Sequence, residues 1–415
     1  MRSLNYNKIL LAFLVVLLFL LTTLFISLYC NFFDDLNLLA KNRLVDYPLL
    51  TFIVTPLFFW LAAFLCYRFA PYASGQHLQT AINQLKETPN NFEKIAPYMS
   101  FRTIIVKAVS SLLSSFAGGS LGKEGPSVHM SAGIFASFAN RYKNFLEKIE
   151  LEAWFFSGCS IGLTIAFNAP IAGVVFAAEK LSKLGLEKFR KNIFWVFIST
   201  GIVAVMFHQS KPFFVFHQVG FTPGFPLLKL LIITILLCGI FGMVTKFLGF
   251  FFLEKTMAVK SKYWHLIPIS AGIVVAFINF YCGIYSFGGG VWTIQEILTN
   301  EEVIISYKEV LGRICNTIIT FGSGSAGGLI APAVTIGTSI GSLIGTILVS
   351  EMGICLLLAM AGFLGSMLGE PIAAAIIVLE ITGQNIEILP ILLIASTCSL
   401  LLSKKLQKSL SGIEG

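Results

Sequence analysis

Charged side chains are scarce in this sequence. Asp, Glu, Lys and Arg make up 12% of the 415 residues, whereas soluble domains carry about 25%. Hydrophobic residues account for 56% and the mean hydropathy is +0.83, so the composition excludes an ordinary soluble domain and predicts an all-α polytopic membrane protein. Residues 9–33 carry no charge and are numerous enough to cross a bilayer. Similar stretches recur at 48–66, 192–206, 226–245, 265–282, 328–350, 352–369 and 386–402.

Motifs of several other function classes are also absent. The eight cysteines form no C-x-x-C pair, so neither a zinc site nor a disulfide framework is indicated. The five histidines are scattered without an H-E-x-x-H motif, and no G-x-x-x-x-G-K-[ST] phosphate loop indicates an ATP-driven pump. We therefore expect no enzymatic activity, no metal and no cofactor, with a transported ion as the ligand.

The two ends of the chain predict its orientation. The apolar core of 9–30 is too long for a secretory signal and no A-x-A-like cleavage site follows it, so we expect a first transmembrane helix, with a signal anchor as the alternative. Cationic residues flank the first and last apolar stretches at Arg2, Lys8, Lys404, Lys405 and Lys408. Such flanks favour the cytoplasmic side, which predicts cytoplasmic termini in a plasma membrane, the inner membrane of a bacterium. They also explain the net charge of +8 without nucleic acid as a partner.

Two motifs occur twice, in the same order. NAPIAGVVFAAE (168–179) is similar to GEPIAAAIIVLE (369–380), with an offset of 201 residues. GKEGPSVHM (122–130) is similar to GLIAPAVTI (328–336), with an offset of 206 residues. Shared membrane-helix composition is one explanation, but matching offsets favour a duplicated unit. We predict one domain over 1–415 with halves at about 45–215 and 225–405, and a substrate site where glycine and proline interrupt both halves.

The duplicated segments are suited to binding an anion. Each has a glycine-rich turn, then proline, then an apolar helical run. A helix start offers unpaired N–H groups and the positive end of the helix dipole, and two such starts can bind an anion without a full positive charge. A third helix start is predicted after Ser74, whose hydroxyl either caps the helix or faces the bound ion.

Glu124 lies inside the first of these segments. Carboxylates within the membrane are costly and usually functional. An ionised carboxylate at the helix starts would occupy the anion site and block it, whereas the protonated acid could move away and admit the ion. The alternative is a solvated loop glutamate that caps its own helix.

These segments resemble the CLC family of chloride channels and chloride/proton exchangers, over about residues 45–405. GKEGP (122–126) is similar to the family segment with the gating glutamate, and GGLIAP (327–332) to its G-x-F-x-P segment. Further similarity is found at ASGQH (73–77), Lys107, FNAPIAGVVFAAE (167–179) and SFGGG (286–290). The chain is similar to prokaryotic-type members, without the paired cytoplasmic regulatory domains of larger ones.

The resemblance implies an inverted-repeat fold with many tilted and broken helices. It also implies a homodimer in a lipid bilayer, with one chloride and proton pathway per subunit. The central anion site would use the Ser74 hydroxyl and the backbone amides of Leu329 and Ile330. Gly125 would also bind the anion, beside an outer site occupied by Glu124 or by chloride.

Several positions depart from the family pattern. Ile330 replaces the motif phenylalanine, where the contribution is a backbone N–H, and Gln76 and His77 replace Ile and Pro after Ser74. Ser411 stands where the family has an inner tyrosine, which predicts a wider inner gate. Lys180 stands where exchangers commonly have a glutamate on the proton route. Three roles are open for this lysine: a proton relay, an attractor of chloride, or a side chain that snorkels to water.

The leading functional hypothesis is chloride/proton antiport through Glu124. The alternative within the family is a passive chloride channel, gated by voltage or pH and without proton coupling. A fluoride-selective exchanger is disfavoured because Ser74 and Pro126 match the chloride-type pattern. A structural scaffold would leave the duplicated Gly/Pro breaks unexplained.

Overall fold

The computed structural model describes residues 2–411 except 76, 145, 147–148, 208–211, 222, 260–262 and 301, with the backbone alone for residues 2–8, 410 and 411. The first nine helices are α1 (Arg2–Asp46), α2 (Thr51–Phe69), α3 (His77–Glu87), α4 (Phe92–Met99), α5 (Phe101–Phe116), α6 (Glu124–Arg141), α7 (Leu151–Phe167), α8 (Pro170–Ser182) and α9 (Leu186–Met206). The remaining helices are α10 (Phe225–Ala258), α11 (Leu266–Cys282), α12 (Val291–Thr299), α13 (Tyr307–Gly322), α14 (Ile330–Leu348), α15 (Met352–Leu368), α16 (Pro371–Ile381) and α17 (Leu389–Ser411).

The helices divide into lipid-facing and interior elements. Six helical segments of the described chain are long and apolar enough to cross a membrane. The longest helices, α1 with 45 residues and α10 with 34, exceed the roughly 20 residues that a perpendicular span needs, so they tilt or project beyond the bilayer. In contrast, α15 is buried along nearly its whole length. The predicted all-α polytopic membrane protein is confirmed.

The duplicated motifs form the same turn between two helices in both halves. Asn168 caps the end of α7 and Gly369 caps the end of α15, and both residues adopt the left-handed conformation, with φ of 52° and 79°. One non-helical residue follows each of them, Ala169 or Glu370, and then Pro170 and Pro371 begin α8 and α16. Proline suits a first helical turn because its missing N–H is not needed there.

The helix pairs α7/α8 and α15/α16 cap each other: a glutamate of each pair binds the first amides of a helix in the other pair. The Glu380 carboxylate accepts hydrogen bonds from the Ile171 and Ala172 amides at the start of α8, at 3.1 and 2.6 Å. The Glu179 carboxylate accepts from the Ile372 and Ala373 amides at the start of α16, at 3.4 and 2.8 Å. The reciprocal exchange joins equivalent residues of the two motifs, which supports the predicted duplication. The bounds predicted for the two halves stay a prediction.

Glycines let the interior helices pack closely. A Cβ atom at Gly158 on α7 would lie 2.6 Å from the Ser131 carbonyl of α6. A Cβ atom at Gly341 on α14 would lie 2.6 Å from the Cys355 carbonyl of α15. Real Cβ atoms do not approach that closely, so glycine is required for both pairs to pack backbone against backbone. The pairs α6/α7 and α14/α15 thereby fix the starts of α6 and α14 in the interior.

Candidate functional site

The starts of α6 and α14 meet through their backbones. The Gly122 amide donates to the Gly328 carbonyl and the Gly328 amide donates to the Gly122 carbonyl, both at 2.8 Å. A Cβ atom at Gly328 would lie 2.6 Å from the Gly125 nitrogen. This contact joins the two predicted Gly/Pro breaks, and it needs glycine because the chains approach too closely for a side chain.

Glu124 is the first residue of α6 and is fully buried. Its Oε2 accepts a hydrogen bond from the Ala331 amide, 3.3 Å away in the first turn of α14. Its Oε1 has no hydrogen-bond partner among the described residues. The carboxylate therefore lies at the positive ends of two helix dipoles, its own and that of α14. The alternative of a solvated loop glutamate is wrong for this residue.

A salt bridge that the sequence did not reveal lies beside Glu124. The ammonium group of Lys123 is buried and contacts the Asp34 carboxylate of α1. The same ammonium lies 5.2 Å from the centre of the Phe213 ring. Asp34 is 89 positions from Lys123, and no motif links the two segments, so only the folded structure brings them together.

The neighbouring residues Glu124 and Gly125 line two different cavities. The first, which we call the tryptophan cavity, has a volume of about 320 Å³ and is lined by Glu124, Lys123, Asp34 and Trp292 among others. The second, the lysine cavity, has a volume of about 460 Å³. Predicted anion-binding residues that line the lysine cavity are Gly125, Leu329 and Ile330. Glu124 thus lies where the two cavities approach each other.

Ser74 is buried next to this region. Its hydroxyl donates to the Pro71 carbonyl at 3.0 Å and contacts the Met257 sulfur at 3.4 Å. The following residue, Gly75, lines the lysine cavity and accepts a hydrogen bond from the Lys107 ammonium at 3.3 Å. A role for the Ser74 hydroxyl as an anion ligand stays a prediction and requires the hydroxyl to rotate away from Pro71.

Lys180 lies in the lysine cavity and is 6% exposed. Its ammonium donates to Glu370 Oε1 at 2.9 Å, and the Lys183 ammonium contacts the same oxygen. Lys180 is thus buried and paired, and its role stays a prediction. Ser411 is the last residue of α17, and its side chain lies outside the described residues.

Glu370 was not identified by sequence reasoning. It precedes Pro371 in the second motif, where the first motif has Ala169. A carboxylate at one of two duplicated positions in an apolar run was a signal that could have found it. Its partners Lys180 and Lys183 belong to the other half of the chain, so the pairing itself could not be predicted from spacing.

The comparisons with known proteins agree with this architecture. The voltage gated chloride channel family matches residues 58–404. The H(+)/Cl(-) exchange transporter ClcA of Vibrio parahaemolyticus is 26% identical over 359 residues, which cover 82% of this chain and 74% of that protein. The same-named transporter of Yersinia pestis is 28% identical over 385 residues, 86% of this chain and 76% of that one.

The fold is also similar to solved structures. A slow cyanobacterial Cl-/H+ antiporter superposes with a TM-score of 0.75 at 20% identity, over 94% of this chain and 93% of that one. At this identity the likeness concerns the fold, and it confirms the predicted CLC-type architecture. Since the family match extends over most of the sequence, the chain belongs to the voltage gated chloride channel (CLC) family.

Proposed function

We propose that this protein is a secondary transporter that exchanges chloride for protons across a membrane. The observation that carries the proposal is the position of the Glu124 carboxylate, buried at the start of α14 and next to two cavities. A protonatable group in the anion's place links anion movement to a proton. The names of the ClcA relatives, which are H(+)/Cl(-) exchange transporters, support exchange over passive conduction.

The geometry suggests how Glu124 couples the two ions. While it is ionised, the Glu124 carboxylate accepts the hydrogen bond of the Ala331 amide, which could otherwise be donated to an anion. Protonation removes the negative charge of Glu124, which the helix dipoles stabilise. The Glu124 side chain can then move away, and chloride can bind the freed amides near Ile330. Return of the carboxylate requires loss of the proton and displaces chloride. The ion gradients supply the energy, and no cofactor is needed.

We further propose that the lysine cavity opens to the cytoplasm. Lys404 lines this cavity, and Lys405 and Lys408 follow it in the sequence. Positive residues favour the cytoplasmic side, and this supports the proposal that both termini are cytoplasmic, in the inner membrane of a bacterium. In agreement with the family resemblance, we propose a homodimer with one pathway per subunit, which subunit counting on single labelled particles in liposomes would test.

Flux measurements in liposomes test the proposed exchange. An imposed chloride gradient is expected to drive protons uphill through the reconstituted wild-type protein. Robust chloride flux without any proton flux would instead indicate the passive channel. Empty liposomes provide the control for leakage of either ion.

A further inference from the structure

A second buried carboxylate, that of Glu370, lines the lysine cavity. Glu370 is 1% exposed, and its Oε1 accepts from Lys180 and contacts Lys183. Its Oε2 is buried and has no hydrogen-bond partner among the described residues. An unpaired oxygen on a buried carboxylate costs stability, so a structural ion pair alone does not account for this group.

The surroundings of Glu370 are strongly cationic. Among the described residues that line the cavity, Glu370 is the one carboxylate. Other titratable groups that line the cavity are Lys107 on α5, His129 on α6, Lys180 and Lys183 on α8, Lys246 on α10 and Lys404 on α17. Glu179 on α8 adds a second negative charge near Glu370. The same cavity reaches Gly125 and Ile330, next to Glu124.

We propose that Glu370 is a second tethered carboxylate, which binds a proton on the lysine-cavity side and competes with chloride for the Lys180 and Lys183 ammonium groups. The inference rests on the proposed chloride/proton exchange and names the residue that exchanges protons on that side. Glu124 would compete with chloride for helix N–H groups, whereas Glu370 would compete with it for two ammonium groups.

The proposed step balances in charge and protons. A chloride ion that enters the cavity pairs with the two ammonium groups and displaces the carboxylate from them. A hydronium ion in the cavity then gives its proton to Oε2, which forms an O–H bond and leaves water. When the proton returns to water, the carboxylate pairs with the lysines again and releases chloride. In this step the Lys180 ammonium attracts the anion and positions Glu370.

The test compares Glu370→Gln with Glu370→Asp and the wild type in liposomes, with chloride and proton fluxes recorded together. Glu370→Gln is expected to keep chloride flux within about threefold while proton flux falls by more than about tenfold, as expected when a positioned proton-transfer group is lost. Glu370→Asp keeps a carboxylate and is expected to retain coupled proton flux. A purely structural role would lower both fluxes together and leave their ratio unchanged.

A wild-type proton-to-chloride ratio in Glu370→Gln overturns the proposal for Glu370 alone. Absence of proton flux in the wild type overturns this proposal together with the proposed exchange. Should Glu370→Gln fail to fold, the triple variant Lys180→Gln/Lys183→Gln/Glu370→Gln removes the cations with the carboxylate. The same loss of proton flux is then expected, and an unchanged ratio contradicts the proposal.

Discussion

The starts of α6 and α14 use the same backbone arrangement with different side chains. Gly122 and Gly328 occupy equivalent positions and exchange two hydrogen bonds of 2.8 Å. Two residues further on, the first half has Glu124 and the second has Ile330. Both residues begin their helices and both are buried. The backbone arrangement of the two helix starts is therefore symmetric, whereas the carboxylate at the first helical position belongs to one half.

This difference between the two helix starts distinguishes the groups proposed to bind the anion from the group proposed to couple it to protons. Backbone amides at a helix start attract any small anion, so both halves would contribute to the proposed anion site. Only a group that gains and loses a proton can make occupancy depend on protons. In the proposed mechanism, the duplicated helix starts would form the anion site, and Glu124 at one of them would make its occupancy depend on protons.

The largest expected effect comes from breaking the shared backbone contact. Gly328→Ala places a Cβ atom 2.6 Å from the Gly125 nitrogen, and this backbone atom cannot rotate away. Overpacking of this kind costs about 1–3 kcal/mol and separates the helix starts, so chloride flux should fall by more than about tenfold. Chloride flux in liposomes measures the loss of transport, and thermal unfolding in detergent measures the loss of stability.

Gly201→Ala is the matched control for this substitution. Gly201 lies within α9, and a Cβ atom there would meet nothing within 4 Å. Alanine is a better helix former than glycine by about 1 kcal/mol, so stability and flux should be unchanged or slightly improved. Equal fluxes in the two alanine variants would mean that the close approach at Gly328 is not required.

A smaller effect is expected from making the two helix starts alike. Ile330→Glu adds a carboxylate to the second half, where Ile330 lines the lysine cavity. An ionised side chain at this position competes with chloride, so flux at neutral pH should fall by about tenfold, a cost of about 1.4 kcal/mol, and recover on acidification. Ile330→Gln has the same shape without the charge. If both variants carry chloride equally at neutral pH, the carboxylate does not compete with the anion.

The smallest effect is expected at the reciprocal caps, where the two halves match. Glu179→Gln and Glu380→Gln each weaken two hydrogen bonds at a helix start. Each should lower stability by about 1 kcal/mol, with the larger loss for Glu380, whose hydrogen bonds are shorter. Thermal unfolding compares the two variants. A cost confined to one of them would show that the caps are not equivalent.

The sequence predicted the features that depend on local pattern. The duplicated motifs located the helix starts, and the apolar stretches at 265–282, 328–350 and 352–369 lie close to α11, α14 and α15. The stretch at 226–245 fell short because Lys246 interrupts the uncharged run, whereas α10 continues through the apolar residues 247–253 to Ala258. The length and hydropathy of an apolar stretch therefore do not define where its helix ends.

The features that could not be predicted are contacts between distant segments. Lys123 pairs with Asp34 and Lys180 pairs with Glu370, over separations of 89 and 190 residues. Each pair depends on how helices from different parts of the chain pack, and no spacing rule specifies that. The sequence around Lys180 therefore left three roles open for this lysine, and it did not indicate Glu370 as its partner.

The most direct test of the account is the paired chloride and proton flux of Glu124→Gln beside the wild type. Glutamine keeps the size of the side chain and cannot carry the ionised form that competes with chloride. If chloride and protons are exchanged through Glu124, a chloride gradient drives protons uphill in the wild type, and Glu124→Gln passes chloride without protons at every pH. Proton coupling that is unchanged in Glu124→Gln would contradict the account.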